Sequence, residues 1–348
     1  MDDAARFAEA VALQQAGRLA EAAALYEDIA ARVATLNLAR NLGACLLELG
    51  RFDAAAHWLG LAHQRLPDDA GIELSLAEAL LGAGRYAEGW PHFEARVRAH
   101  PSETSRFSGS APEWRGEPLA GRDVVVVHEQ GLGDQIMFAR FAPLLKARGA
   151  GRVTLSCHAA LAPVFAGLAG VDEVIGLAPG DQARLPDDVA WVRCMSLAGR
   201  LGMTPDTLPG EPYLHAAPRP VDARIGVAVA GNPKNARDAH RSMRGAAAEA
   251  LLALPDAISL EPADAGPLPQ TAEIIAGLDL VVSVDTALAH LAGALGKPVW
   301  VLLSDVGQDW RWMRGRDDSP WYPSARLFRQ PRGGDWDAVV ADVRRALS

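Results

Sequence analysis

The dipeptide Gly-Arg recurs at residues 17–18, 50–51 and 84–85, a spacing of 33 and then 34, and nothing else restricts the fold of this 348-residue chain as much. Each copy is followed by an apolar or aromatic residue: Leu19, Phe52 or Tyr86. Small residues precede the turn in phase (Ala10, Gly43, Ala77) and follow it in phase (Ala22, Ala55, Gly89). Bulky residues come next at Tyr26, Leu59 and Phe93, and Pro67 and Pro101 close the last two units. Small residues at fixed offsets are what closely crossing helices need, and glycine suits the turn between them. Each unit therefore predicts a helix–turn–helix of about 34 residues. A single unit cannot bury its apolar face, and about three are needed for a shared stacked core. Residues 1–101 are expected to form a repeat array that presents a groove to a peptide or protein, or that braces the region after it.

Residues 102–122 are rich in Ser, Gly, Pro and Trp without sustained periodicity and are expected to be a linker. The pattern then alternates between strands and helices. Strands are expected at 124–128, 152–157, 171–177 and 189–193, with helices at 135–148, 161–168 and 196–201. A second loop-like stretch runs from Pro205 to Pro220. Strands are next expected at 225–230, 258–260, 280–284 and 299–303, with helices at 246–254, 271–276, 287–295 and 336–347. This succession calls for parallel sheets covered by helices, arranged as two Rossmann-like halves, 123–215 and 216–348. The fold class expected is α followed by α/β, helical repeats and then two doubly wound domains.

Composition narrows the function classes. A net charge of −9 gives no global basic field for nucleic acid. The most apolar window, around 280–303, is interrupted by Asp285, His290 and Lys297, which suits a buried core better than a membrane span. Acidic residues follow Met1 with no apolar run after them, so no secretory signal is read, and the cytoplasm is the expected address. Three dispersed cysteines (Cys45, Cys157, Cys194) suggest neither a disulfide framework nor a zinc site. HExxH, paired CxxC, G-x-S-x-G and P-loop signatures are absent from the sequence, so no metal or cofactor is expected.

Chemistry is expected in three βα loops, because ligands in open parallel sheets bind beyond the carboxyl ends of the strands. In the first, Glu129-Gln130-Gly131-Leu132-Gly133-Asp134, the two glycines would let the backbone turn tightly and approach a substrate closely. Asp134 would stand at the helix start as an N-cap, as a base, or as both. The second loop places Asp285, Thr286, Ala287 and His290 where a strand gives way to a helix that Gly296-Lys297-Pro298 ends. Its amides and dipole could hold a phosphate, although Asp285 or Thr286 could equally serve as a cap and His290 as a packing residue. The third, Gly231-Asn232-Pro233-Lys234-Asn235 with Arg241 beyond it, offers cations to a leaving phosphate or is a solvated loop. The aromatic stretches 309–312 and 319–323 would stack on a base or sugar, or seal an interface.

Taken together, "EQGLGDQIMFAR", "VAVAGNP", "LDLVVSVDTALAHLAGALGKPVWVLL", "DWRW" and "SPWYPSARLFRQ" resemble bacterial tetratricopeptide-repeat proteins. In those proteins the C-terminal half is similar to ADP-heptose:lipopolysaccharide heptosyltransferases. The resemblance implies a GT-B fold, with an acceptor-side domain first, a nucleotide-sugar domain second and the active site between them. It implies that Asp134 is the base of an inverting transfer, that Gln130, Gly131, Leu132 and Gly133 form the acceptor-side loop, and that Asp285, Thr286, Ala287 and His290 line the phosphate pocket. Asn232, Lys234 and Arg241 would assist there. Some relatives with this layout glycosylate flagellin, which implies a protein acceptor held by the repeats. The runner-up readings are a catalytically inactive binding or chaperone module and a lipopolysaccharide heptosyltransferase. Two positions depart from the pattern: Val229 stands where relatives carry Trp, and Glu261, often Gln in relatives, would repel a diphosphate.

Overall fold

The computed structural model describes residues 2–102, 107–178, 180–181, 183–233 and 238–348. The chain forms two compact units: the segment up to Pro101 together with Ser304–Arg316, and Ser102–Leu303 together with Asp317–Ser348.

The first unit contains six antiparallel repeat helices: α1 (Asp3–Gln15), α2 (Leu19–Ala30), α3 (Leu36–Glu48), α4 (Phe52–Arg65), α5 (Ala70–Gly82) and α6 (Tyr86–Phe93). The Gly-Arg dipeptides end α1, α3 and α5 in one way. Gly17, Gly50 and Gly84 take φ of 74°, 66° and 79°. The amides of Gly and Arg then return to carbonyls three and five residues back, for example Gly50 N–H to Leu47 and Arg51 N–H to Leu46 at 2.9 and 2.8 Å. That is the Schellman closure, which only glycine adopts without a Cβ penalty. The small residues sit at the crossings as expected. A Cβ on Gly43 would lie 2.7 Å from Leu59, and one on Gly89 would lie 2.8 Å from Leu81. Ala10, Ala22, Tyr26 and Leu59 share one apolar core.

The 304–316 segment completes this unit. Trp310 lies against Tyr86, Trp90 and Phe93 at ring separations of 6.1, 5.7 and 5.7 Å, in edge-on arrangements. The backbone is tied down as well: Gly307 N–H donates to Glu48 at 2.9 Å, and Arg314 donates to the Leu49 carbonyl at 3.2 Å. The aromatic stretch 309–312 thus seals the last repeat, and Trp310 and Trp312 are buried there.

Among the described residues the second unit contains a four-stranded and a five-stranded parallel sheet, besides one two-stranded pair. The first has β1 (Val124–Val127), followed by α7 (Leu132–Ala139), then β2 (Val153–His158), β3 (Glu173–Leu177) and β4 (Ala190–Arg193), in spatial order β3-β2-β1-β4. The second has β5 (Ile225–Ala228), α8 (Gly245–Leu252), β6 (Ala257–Ser259), α9 (Leu268–Gly277), β7 (Leu280–Val284), α10 (Ala287–Ala294), β8 (Val299–Leu303), β9 (Ala325–Arg329) and α11 (Trp336–Leu347). Its order is β9-β8-β7-β5-β6. The strand direction of reading reverses at β1/β4 in one sheet and β5/β7 in the other, which opens a crevice at each switch point. The expected fold class, helical repeats followed by two Rossmann-like α/β halves, is observed.

Three local expectations need correction. The helix expected at 135–148 begins three residues earlier, at Leu132, and stops at Ala139. Pro143 cannot donate to residue 139 and crowds that turn, so the chain resumes only a short helix at Leu144–Ala147. The strand β9, at the edge of the second sheet, was not expected: its five residues lie among prolines and carry two arginines. Within the stretch read as a linker, Phe107–Ser108 pairs in parallel with Ala183–Arg184. There Trp114 is fully buried, its amide donating to Trp191 at 2.7 Å. The last helix, α11, packs on the second half, in one core with α8, β5, β7 and β8.

Candidate functional site

The amino ends of α7 and α10 meet. A Cβ on Gly133 would stand 2.8 Å from Cδ2 of His290 and 3.5 Å from Cα of Ala287. Glycine at 133 is therefore required by contact with the opposite helix. Neither glycine supplies a left-handed turn: Gly131 has ordinary extended angles (φ −77°, ψ 170°), and Gly133 lies inside α7. The left-handed position of this loop is Gln130, at φ 53°. It is fixed by Gln135, whose side-chain amide donates to the Gln130 carbonyl at 3.3 Å and whose Oε1 accepts the His158 N–H at 2.8 Å. One buried glutamine thus ties the loop after β1 to the end of β2.

Asp134 is not the N-cap. It is the third residue of α7, and its Oδ2 accepts the N–H of the cap residue Gly131 at 3.1 Å. A carboxylate in the first turn of a helix is favoured by the dipole. Leu132 opens the helix beside it. Across the seam, Thr286 caps α10, its Oγ1 accepting the Leu288 N–H at 3.3 Å. Asp285 Oδ1 lies 3.9 Å from Nε2 of His290, while Nδ1 of His290 is 3.1 Å from the Tyr322 hydroxyl. The second loop therefore caps, pairs and packs at once: Thr286 caps α10, Asp285 faces His290, and Ala287 and His290 lie against Gly133.

Arg140, which sequence reasoning passed over, holds this seam. It is 3% exposed and lies over the rings of Tyr213, Trp321 and Tyr322 at 4.9, 5.5 and 4.5 Å. Its guanidinium donates to the carbonyls of Pro209 at 3.1 Å and of Trp321. Burial holds the Tyr322 hydroxyl well above its ordinary pKa, so it remains a neutral phenol beside His290. Tyr213 donates to the Ile136 carbonyl at 2.9 Å, fixing α7 from the same side. The aromatic stretch 319–323 accordingly seals the two halves, with Trp321 and Tyr322 both buried.

The third loop follows β5, whose end lies beside that of β7 (Ala228 opposite Ser283). Asn232 leaves the strand there, and Arg241 returns toward Gly231, with its Nε 3.3 Å from Oδ1 of Asp238. Asp238, 4% exposed, was not foreseen. Lys234 lies outside the described residues. Glu261 Oε1 accepts the N–H groups of Val229 (2.9 Å) and Ala230 (3.1 Å), so its carboxylate closes the end of β5. Val229 is a core residue.

At the other switch point Glu129, 1% exposed, accepts the Met195 N–H at 3.3 Å and faces Arg193 Nε at 3.8 Å. Nearby His128 is held below its ordinary pKa, first by burial and then by His158.

Helical repeats are thus joined to two parallel α/β halves, with a glycine loop and a Thr286-capped helix meeting at the seam of the halves. Residues 246–305, which include β7, α10 and β8, match the profile of glycosyltransferase family 9 (heptosyltransferase). The chain is 26% identical over 358 residues to protein FlbA of Caulobacter vibrioides, an alignment covering 86% of this chain. It spans 59% of the length of that relative. Among solved structures, E. coli ADP-heptose lipopolysaccharide heptosyltransferase II is 16% identical, with coverage of 65% and 98% of the two chains and a TM-score of 0.41. E. coli heptosyltransferase WaaC with ADP-2-deoxy-2-fluoro heptose is 14% identical, with coverage of 65% and 99% and a TM-score of 0.40. Among the described residues no helix is long and apolar enough to cross a membrane.

Proposed function

We propose that the protein is a cytoplasmic, inverting glycosyltransferase that moves a sugar from a nucleotide-sugar donor to a protein acceptor held by the repeats. Flagellin is the acceptor class that the resemblance names. The observation that carries this reading is the direct meeting of the Asp134 helix with the Asp285–His290 helix, joined to a family 9 segment in the second half.

In this reading the acceptor hydroxyl lies beside Asp134. The carboxylate takes its proton as the oxygen attacks the anomeric carbon, and the bond from that carbon to phosphate breaks on the opposite side. The electron pair leaves with the nucleoside diphosphate. The amides at the start of α10 and the Thr286 hydroxyl receive the developing charge, and the dipole of α10 supports them. Arg241 and Asn232, from the loop after the neighbouring strand β5, assist at the same phosphates in this reading. The Gly131–Asp134 hydrogen bond orients the base, and neither a metal nor a cofactor enters the scheme.

Asp134→Asn should abolish transfer while donor binding and folding persist. A second reading, a binding module without catalysis, draws on Glu261, whose negative charge sits at the end of β5. A thermal-shift panel of nucleotide sugars separates the two, because stabilisation by none of them favours the binding module. A lipopolysaccharide acceptor is the third reading. Comparing sugar transfer to candidate proteins and to lipopolysaccharide core decides between acceptors.

A further inference from the structure

Three adjacent repeat helices bring His63 (α4), Glu73 (α5) and His92 (α6) together, each half-buried, with one potential ligand atom apiece and all of these within 4.8 Å of one another. We propose that this cluster is a divalent-metal site, best suited to zinc, that pins the second and third repeats together. It lies in the first unit and is independent of the glycosyl-transfer reading.

Two imidazoles and one carboxylate form a known three-ligand zinc set, leaving a fourth position for water. Bonds of about 2.0–2.2 Å place tetrahedral ligand atoms about 3.3–3.5 Å apart. His92 Nδ1 and Glu73 Oε1 already stand 3.4 Å apart. His63 completes the set from the side: its ring is 5.1 Å from that of His92 and nearly perpendicular to it, at 82°. Nδ1 of His63 is buried with no hydrogen-bond partner among the described residues. A buried ring nitrogen without a partner is a deficit that a cation removes. Closing the triangle requires ligand atoms now within 4.8 Å of one another to draw in to about 3.3–3.5 Å.

The carboxylate is also oriented from outside. Arg98 donates to Oε2 of Glu73 at 2.5 Å, leaving the Oε1 side turned toward His92. Such outer hydrogen bonds are how proteins fix the direction of a ligating carboxylate. No thiol belongs to the cluster: Cys45, Cys157 and Cys194 are free and buried elsewhere.

The test is titration of the metal-free full-length chain with Zn²⁺ alone, followed by calorimetry and thermal denaturation, and with Co²⁺, whose visible d–d bands report tetrahedral nitrogen and oxygen ligation. The expected results are one equivalent bound, a raised melting temperature and a Co²⁺ spectrum of four-coordinate character. His63→Gln, Glu73→Gln and His92→Gln should each weaken binding by about 10–100-fold or more. His57→Gln, an exposed histidine outside the cluster, should change nothing. Failure of the wild-type chain to bind either ion would overturn the proposal, as would undiminished binding by the three cluster variants. The wild-type titration decides even if one variant does not fold.

Discussion

Replacing Gly133 with Ala tests the seam most sharply. The new methyl would lie 2.8 Å from His290 Cδ2 and 3.5 Å from the Ala287 Cα. Carbon atoms rest at about 3.5–4.0 Å, so the opposite helix or the imidazole must retreat by roughly 0.7–1 Å. His290 has little freedom to do so, being 7% exposed and fixed by Tyr322 at 3.1 Å. Overpacking of this kind costs about 1–3 kcal/mol, against which alanine returns up to about 1 kcal/mol of helix propensity. The net expectation is a loss of about 0–2 kcal/mol in denaturant unfolding, small enough for the protein to remain folded. Transfer should suffer more, because misplacing reacting groups by about 1 Å costs on the order of 10²-fold. The pair Gly133→Ala and His290→Ala should couple in a double-mutant cycle, with the second change relieving the strain of the first. A Gly133→Ala variant as stable and as active as wild type would show that the two loops do not meet at Gly133 and His290.

Other outcomes follow from the packing. Trp310→Ala should cost about 3–5 kcal/mol of repeat stability, read from helical signal in urea, because the indole fills a ring of three aromatics; a loss below about 1 kcal/mol would refute that role. Glu261→Gln should leave stability nearly unchanged, since the amide oxygen still accepts from Val229 and Ala230, and should tighten nucleotide binding by removing a negative charge. Glu261→Ala should cost about 1–3 kcal/mol, and equal stability of the two variants would contradict the assignment. Burial pushes the Cys45 thiol up to about 11 and that of Cys157 up to about 12, from an ordinary value of 9. The native state therefore holds protons that the unfolded chain releases, so stability is full below about pH 9 and falls between there and pH 11–12. Cys45→Ala should flatten that slope for the repeats, and an unchanged slope would argue against the shift.

The repeats were almost fully legible because their information is local: glycine at the turn, small residues at the crossings and aromatics beyond. The sheets were legible from runs such as Val124–Val127, whose burial is continuous. What escaped notice is long-range. Arg140 looks like an exposed helix residue, and its burial comes from Pro209 and Trp321, 69 and 181 residues away. The contact of Gly133 with His290 cannot be inferred from the loop itself, because the two residues are far apart in the chain. The 304–316 segment was recognisable as aromatic, but nothing in it indicates that its rings belong with Tyr86 and Phe93. The metal-type cluster joins residues from three helices and has no spacing signature.

The central claim is that the loop after β1 supplies the base for a transfer whose leaving group is held by the loop after β7. The most direct measurement is single-turnover sugar transfer by Asp134→Asn beside wild type, with donor affinity measured on the same preparations. The account predicts loss of transfer by at least about 10²-fold with donor affinity retained. Transfer at the wild-type rate would contradict it.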